Sequence, residues 1–359
     1  MRFRNSCLLA ATSIMTAGEK VIDINVKDVI SRIVVIIRGV NSSWDPIGHP
    51  ALIAEEVTLV DGSNVLHSMS GAYSQALAFY SSKKQPFNYI NYTDNGTCVA
   101  AIPIYFGRNL WDRQLALDPT KFNNLQLKIE HDYSLGGATP DACTIEVWAD
   151  IFDDKPEGVV GFLMGKSHWR KTLVASTTDY VDIPTDYPIR LVMPAVKSDD
   201  EEPDINIDAV KLSEDADKRI IIDAGVLEIL QMHEAQYPTW IELMEGRVTG
   251  GTANEFWVTP CKDVHIAPLA SADTDGIWNA AWSGGSGRNI MTSITGTFDA
   301  NVTGRCPHGV IPIPMGDIDI IEDAWQVQGL GSARIQMTTG AGDTASAYQL
   351  LLQQVRKYA

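Results

Sequence analysis

Gly161-Phe162-Leu163-Met164-Gly165-Lys166-Ser167 places two glycines, a lysine and a hydroxyl in the order of a phosphate-cradling loop. That loop needs four residues between its glycines so that successive backbone N–H groups can wrap the phosphates. Here three intervene, and the segment reads as a turn after a strand. Ala272-Asp273-Thr274-Asp275-Gly276 opens like a calcium loop. It lacks the further oxygen ligands and the distant Glu that complete one, so an Asx-type turn is expected. The histidines His49, His67, His131, His168, His233, His265 and His308 never fall at HxH or HxxxH spacing, the spacings that put two imidazoles on one metal. Cys7, Cys98, Cys143, Cys261 and Cys306 are scattered and odd in number. They are expected as reduced, mostly buried thiols, without a disulfide framework or zinc site. Asp132 follows His131 directly, and neighbouring side chains on a strand point apart. Asp153-Asp154 reads as a solvated charge pair. No Gly-x-Ser-x-Gly elbow occurs. The sequons at Asn41, Asn91, Asn95 and Asn301 matter only in a secreted eukaryotic product. The residues therefore nominate no catalytic, cofactor-binding or metal site, and no cofactor.

The totals narrow the field further. With 359 residues, 45% hydrophobic and 20% charged, the chain can build two ordinary domain cores. A formal net charge of −17 repels phosphate, so direct nucleic-acid binding is not expected. Arg2 and Arg4 before Cys7-Leu8-Leu9-Ala10-Ala11 faintly resemble a signal peptide, but Thr12 and Ser13 break the run. No segment reaches the roughly 18 apolar residues of a membrane span.

The elements behind these residues form an internal repeat. Asp28 to Ile36 pairs with Asp186 to Met193, with Asp and Arg four apart in both (Asp28 and Arg32, Asp186 and Arg190) before an aliphatic run. Val57-Thr58-Leu59-Val60-Asp61-Gly62 pairs with Val210-Lys211-Leu212-Ser213-Glu214, an offset of 153. Ala72 to Tyr80 and Gly225 to His233 follow at that offset, with apolar spacing that predicts a short helix in each. Ala101-Ile102-Pro103-Ile104-Tyr105-Phe106-Gly107 pairs with Val310-Ile311-Pro312-Ile313-Pro314-Met315-Gly316, now at an offset of 209. Leu125, Leu127 and Ile129 match Ala333, Ile335 and Met337, and Cys143 to Phe152 matches Ala347 to Val355. The jump in offset marks an insertion of about 56 residues between Glu234 and Pro307, holding Trp240, Trp257, Trp278 and Trp282. Short turn-bounded strands of period two dominate both copies, as in a sandwich or jelly roll. Pro103, Pro312 and Pro314 predict edge strands or strand starts. Lys197 to Pro203 predicts a solvated acidic loop.

With these residues in view, a family resemblance emerges. Ile102-Pro103-Ile104-Tyr105-Phe106-Gly107-Arg108, Leu117-Asp118, Asn124-Leu125-Gln126-Leu127 and Ile183-Pro184-Thr185-Asp186-Tyr187-Pro188-Ile189-Arg190 resemble the major capsid proteins of tailless phages with an internal membrane. The likeness points to the lipid-containing, single-stranded DNA phages of Flavobacterium. It extends to the wider lineage of tectivirus and corticovirus capsid proteins and adenovirus hexon. It implies an all-β double jelly roll, two tandem eight-stranded units with short helices. On this reading residues 1–18 are an N-terminal arm, 19–165 the first jelly roll and 166–359 the second, with the insertion 234–307 as a surface tower. It further implies a structural, non-enzymatic major capsid protein. Pseudo-hexameric homotrimers would tile an icosahedral virion shell with neighbouring trimers, penton and minor capsid proteins, after synthesis in the host cytoplasm. An internal lipid membrane would be met through the arm, where Arg2 and Arg4 face anionic lipid.

Two other classes stay open: a carbohydrate-binding or carbohydrate-active protein on the same scaffold, and a phage spike or receptor-binding protein. Nine tryptophans favour the first, because aromatic faces stack on sugars, although many should be core. A glycosidase could also draw its two carboxylates from distant strands.

Overall fold

The computed structural model describes residues 3–154, 156–198, 201–250, 252–271, 287–291, 295–342 and 347–358. The first copy comprises β1 (Phe3–Ser13), β2 (Gly18–Asp23), β3 (Ile30–Asn41), β4 (Ala54–Asp61), β5 (Asn64–Met69), helix α1 (Gly71–Ser82), β6 (Asn88–Asn91), β7 (Thr97–Tyr105), β8 (Leu125–His131) and β9 (Pro140–Phe152). The second comprises β10 (Gly161–Thr172), β11 (Thr178–Asp182), β12 (Ile189–Val196), a short α2 (Pro203–Asn206), β13 (Ile207–Glu214), β14 (Arg219–Gly225) and α3 (Val226–His233). Then follow the inserted β15 (Trp240–Val248), β16 (Asn254–Trp257), β17 (Pro260–Ser271), β18 (Arg288–Met291) and β19 (Gly296–Pro307), and finally β20 (Ile313–Pro314), β21 (Ala333–Thr339) and β22 (Ala347–Lys357).

Strand order makes each copy an eight-stranded jelly roll. In the first, β1-β9-β3-β7 faces β2-β8-β4-β5; in the second, β10-β22-β12-β20 faces β11-β21-β13-β14. The order is the same in both. Several irregularities recur too: β1 slips between Cys7 and Leu9 against β9, and β10 slips between Ser167 and Trp169 against β22. Bulges fix register, and shared bulges mark these as one structure built twice. Alternating inward residues close each core, as with Ile33, Val35 and Ile37 against Val57, Leu59 and Leu127.

Residues 1–18, expected as an arm, supply β1, the first strand of the first jelly roll. It pairs with β9 along its length, Phe3 stacks on Trp111 at 4.1 Å, and Arg4 ion-pairs with Asp28 and Asp153. Its mixed polar and apolar sequence follows from its place at a sheet edge, where it is exposed along much of its length. Gly161 to Ser167 is likewise no turn but the start of β10. Its glycines answer close approach: a Cβ on Gly161 would meet Arg356 O at 2.2 Å, and one on Gly165 would meet Leu77 Cδ2 at 2.5 Å.

The structure also moves the first repeat anchor by one residue. Arg32 opposes Tyr105, and Leu191 opposes Pro314, so Leu191 and not Arg190 is the counterpart of Arg32. A one-residue slip inverts the faces of a strand. Arg190 instead falls at the bulge between Ile189 and Leu191 and reaches Ser81 at the seam between the copies, whereas Arg32 pairs with Asp150. The helices align at an offset of 155 in place of 153, because the β13–β14 turn runs from Asp215 to Lys218 where the β4–β5 turn has only Gly62 and Ser63. Pro314 lies on an edge strand and Pro312 outside the strands, as their missing N–H requires. Pro103 instead sits in β7, inside its sheet, opposite Val34. Ala101 N reaches Phe87 O just before β6, so two residues on the nitrogen of Pro103 points where that strand is absent, and no ladder bond is lost.

Helix α1 joins the two copies. Ser70 caps it by accepting from Tyr73 N, and Lys83 ends it at φ 56°. Every residue from Gly71 to Ser81 is buried, the polar Ser74, Gln75 and Ser81 included, so the helix is covered on every side. Tyr73, Leu77, Phe79 and Tyr80 pack with Leu191, Met193, Ala195 and Leu351 of the second copy and with Trp240 of the insertion. The β10-β22-β12-β20 sheet is thus covered on both faces, which explains why Ile189 to Val196 is buried at every position. Beside the helix, β5 pairs with β10 in parallel through Ser68 and Lys166. Phe79→Ala, which empties the centre of this cluster, is expected to destabilise the protein by about 3–5 kcal/mol, read as a lower midpoint in urea unfolding.

Candidate functional site

The polar groups with strongly perturbed surroundings gather at the seam between the copies, not in a cleft. His49 precedes a short 3₁₀ turn, Pro50–Ile53, and its Nδ1 accepts from Ala51 N. Nε2 therefore carries the proton and donates to Thr259 Oγ1 at 3.0 Å. The Thr259 hydroxyl donates to Glu242 Oε2 at 2.6 Å and its backbone N–H to Glu242 Oε1 at 2.7 Å, while Trp240 Nε1 donates to Oε2 at 3.0 Å. Asn88 Nδ2 reaches Thr259 Oγ1, Gln75 Nε2 donates to Asn88 Oδ1, and His308 Nε2 lies 2.9 Å from Gln75 Oε1. The rings of His49 and His308 meet edge to face at 4.9 Å. First-copy residues His49, Gln75 and Asn88 thus close one network with Glu242, Thr259 and His308 of the insertion and the β19–β20 connection. Burial sets the charges. It holds His49 well below the ordinary histidine range and His308 at about 3, with Lys197 lowering both and the neighbouring His308 adding to the effect on His49. Burial raises the carboxyl of Glu242, against the pull of its donors.

A second seam contact is the buried guanidinium of Arg190. It donates to Ile318 O at 2.7 Å, to Ser81 Oγ at 2.8 Å, to Ser81 O at 3.1 Å and to Gln353 Oε1 at 2.5 Å. The first of these lies after β20 and the Ser81 groups at the negative end of α1. Burial lowers its pKa to about 10, against the opposing pull of Asp319.

The insertion does more than elaborate a loop. Met244 and Glu245 of β15 pair in parallel with Ile90 and Asn91 of β6, and β19 and β17 follow. Inserted into the second copy, these strands extend the sheet of the first. Trp240 is fully buried there, and Trp257 lies under Lys197 at 4.9 Å; Trp278, Trp282 and Asp273 to Gly276 fall outside the described residues. The acidic loop is more engaged than expected, since Glu202 pairs with Lys262, which Asp204 of α2 also holds; Asp199 and Asp200 lie outside the described residues.

Among the described residues no cluster of His, Cys, Asp and Glu has the geometry of a metal site. Four cysteines are buried, Cys7 is exposed, and all are free thiols; burial pushes Cys98 up to about 11 and Cys143 and Cys261 to about 12. Asp132 turns away from His131 to accept from Ser134. Asn41 and Asn91 are buried, with side chains bonded inside the protein, which closes both sequons to glycosylation. An apolar slot lined by Phe79, Tyr80, Leu230, Tyr237, Pro238 and Pro312 has a volume of only about 40 Å³. The seam network was not legible in the sequence, because its members come from four distant segments with no spacing between them. The one signal was composition: polar residues within otherwise apolar runs, as at Gln75 inside Ala72 to Tyr80.

The sign of the histidine contribution follows from proton binding. The folded state binds fewer protons at His49 and His308 than the unfolded chain, whose histidines titrate near 6.5. Their contribution to stability is complete above about pH 6.5 and drains as pH falls from there towards about 3. Glu242 acts in the opposite sense, since its raised pKa favours proton uptake by the folded state. The urea midpoint is expected to fall between pH 7 and pH 4, and His308→Gln is expected to flatten that fall.

No protein-family model and no curated protein sequence matches the chain. Solved structures do. The STIV major capsid protein aligns with a TM-score of 0.60 at 11% identity, over 100% of this chain and 98% of that one. The major capsid protein P2 from bacteriophage PM2 aligns at 0.55 and 10%, over 99% and 98%. The PBCV-1 virus capsid aligns at 0.58 and 10%, over 99% and 94%. Duplicated strand order, shared bulges and end-to-end alignment together give this chain the double jelly-roll fold of viral major capsid proteins.

Proposed function

We propose that the protein is a structural major capsid subunit that assembles as pseudo-hexameric trimers and tiles an icosahedral virion shell. The observation that carries the reading is the end-to-end match to capsid proteins with no large unmatched domain on either side. The physical logic agrees. Two jelly rolls in one chain supply six per trimer, a near-sixfold tile from three chains. The seam network and α1 make the pair rigid, as a tile must be. An acidic chain with a net charge of −17 suits a shell that does not grip its genome.

Neighbouring trimers, penton and minor capsid proteins are the partners of this reading, and host cytoplasm is the place of synthesis. A membrane under the shell and a phage host rest on the family likeness alone. Residues 1–18 lend the membrane little support, since Arg4 is already paired with Asp28 and Asp153. The carbohydrate reading has weaker footing: Trp240 and Trp325 are core, and exposed Trp44 is covered by Arg247 at 4.5 Å.

Size-exclusion chromatography with light scattering is expected to give stable trimers, and negative-stain images a hexagonal outline. A monomer at micromolar concentration overturns the assignment.

A further inference from the structure

Two of the five cysteines stand opposite one another at the root of the insertion. Pro260 of β17 opposes Pro307 of β19, and Lys262 opposes Arg305, so Cys261 and Cys306 face each other between these pairs. Residues directly opposed on antiparallel strands have Cα atoms about 4.5–5.5 Å apart. That lies inside the range of about 4.4–6.8 Å that a disulfide spans. Both cysteines are buried. Burial raises the Cys306 thiol well above the ordinary range, and neighbouring Cys261 raises it further. The Tyr80 hydroxyl, raised first by burial, is raised again by both thiols.

No other two cysteines oppose one another. Cys98 and Cys143 both pair with Gly39, one from each side, so a whole strand separates them. Two strand spacings come to about 9.6 Å, too far to bridge without moving the backbone. Cys7 opposes Trp148.

The pair sits within the seam network. Thr259 lies two residues before Cys261 and His308 two after Cys306, and His308 N donates to Thr259 O at 2.8 Å. A bond between the sulfurs closes residues 262–305 into a loop and fixes Thr259 beside His308. A small oxidant has a way in. Cys306 lines the slot of about 40 Å³ beside Phe79 and Tyr237, whose rim carries the exposed Pro238 and Thr239. That volume has room for a molecule the size of hydrogen peroxide.

We infer that Cys261 and Cys306 are a latent disulfide, which closes with a peroxide as oxidant and staples the root of the insertion to the seam. The Cys306 thiolate attacks one peroxide oxygen and breaks the O–O bond. This leaves a sulfenic acid and a hydroxide, which takes up the thiol's proton as water. The Cys261 sulfur then attacks the Cys306 sulfur; the S–S bond forms, the S–O bond breaks, and a second water leaves with the Cys261 proton. The two thiols give up two electrons, and the peroxide receives them. Only the thiolate is nucleophilic, and burial holds Cys261 at about 12. Closure is therefore slow near neutral pH and quickens by about tenfold per pH unit. The inference stands on strand pairing and not on the capsid reading.

The test uses the full chain as Cys7→Ser, so that no exposed thiol links chains, reduced, desalted and held with hydrogen peroxide at mildly alkaline pH. Thiols titrated after unfolding are expected to fall from four to two, and peptide mapping is expected to join Cys261 to Cys306. Cys261→Ser and Cys306→Ser are each expected to abolish the linked peptide, whereas Cys98→Ser keeps it. The oxidised chain is expected to have a higher urea midpoint, which reductant lowers again. Four thiols surviving the treatment, thiols lost without the linked peptide, or a bridge between any other two cysteines overturns the pairing. A midpoint that reductant does not lower overturns the staple. Trimers or monomers in solution decide the capsid reading separately.

Discussion

The burial of α1 is the constraint on which the rest of the structure depends. A helix buried on all sides cannot rest on one jelly roll, because one sheet covers only one of its faces. It needs the second copy on one flank and Trp240 of the insertion on another. That need places the β10-β22-β12-β20 sheet beside the first copy, brings β5 against β10, and leaves Ser81 at the helix end for Arg190. Gly71 shows how tight the fit is: a Cβ there would meet Ala51 O at 2.6 Å and Ile102 Cδ1 at 2.7 Å.

The seam is held by two kinds of interaction with different roles. Apolar packing around Phe79 and Tyr80 supplies most of the attraction, being roughly proportional to area removed from water. The polar network of His49, Gln75, Asn88, Glu242, Thr259 and His308 adds little net attraction, since each group gave up water to enter. What it adds is selectivity. Any other docking angle leaves several of these groups buried and unpaired, and each such group costs about 1–3 kcal/mol. Fully satisfied networks of this kind specify one arrangement.

Much of the fold was legible because duplication wrote it twice. The aliphatic runs of β3 and β12, the Ile-Pro-Ile segments of β7 and β20 and the alternation in β8 and β21 each found a partner, and both helices fell where apolar spacing put them. Two kinds of feature stayed hidden. Edge strands such as β1 are only partly buried, here chiefly at Leu8 and Leu9, so their sequence lacks the pattern that full burial imposes, and Phe3–Ser13 passed for an arm. Long-range pairings leave no local trace: β6 with β15 joins residues about 150 positions apart, and His49 meets Thr259 across 210. The one-residue error at Arg32 and Arg190 has a similar root. Identical side chains drew the alignment, whereas strand pairing, with the same bulge after Ile30 and after Ile189, matches Arg32 with Leu191.

The parallel union of β6 and β15 bears on how the chain reaches its native state. Strand β6 emerges in synthesis long before Trp240–Val248 exists to pair with it, and β5 likewise precedes β10. At synthesis rates of about 5–20 residues per second, the edge of β6 waits on the order of ten seconds for its partner. Through that interval α1 has no second copy to cover it, and its apolar surface stands in water. The first jelly roll thus stands with an open sheet edge on the ribosome until the inserted strands of the second copy are made. Such high contact order slows folding and delays a complete subunit until the chain is nearly whole, which keeps half-made copies from offering a finished surface to one another.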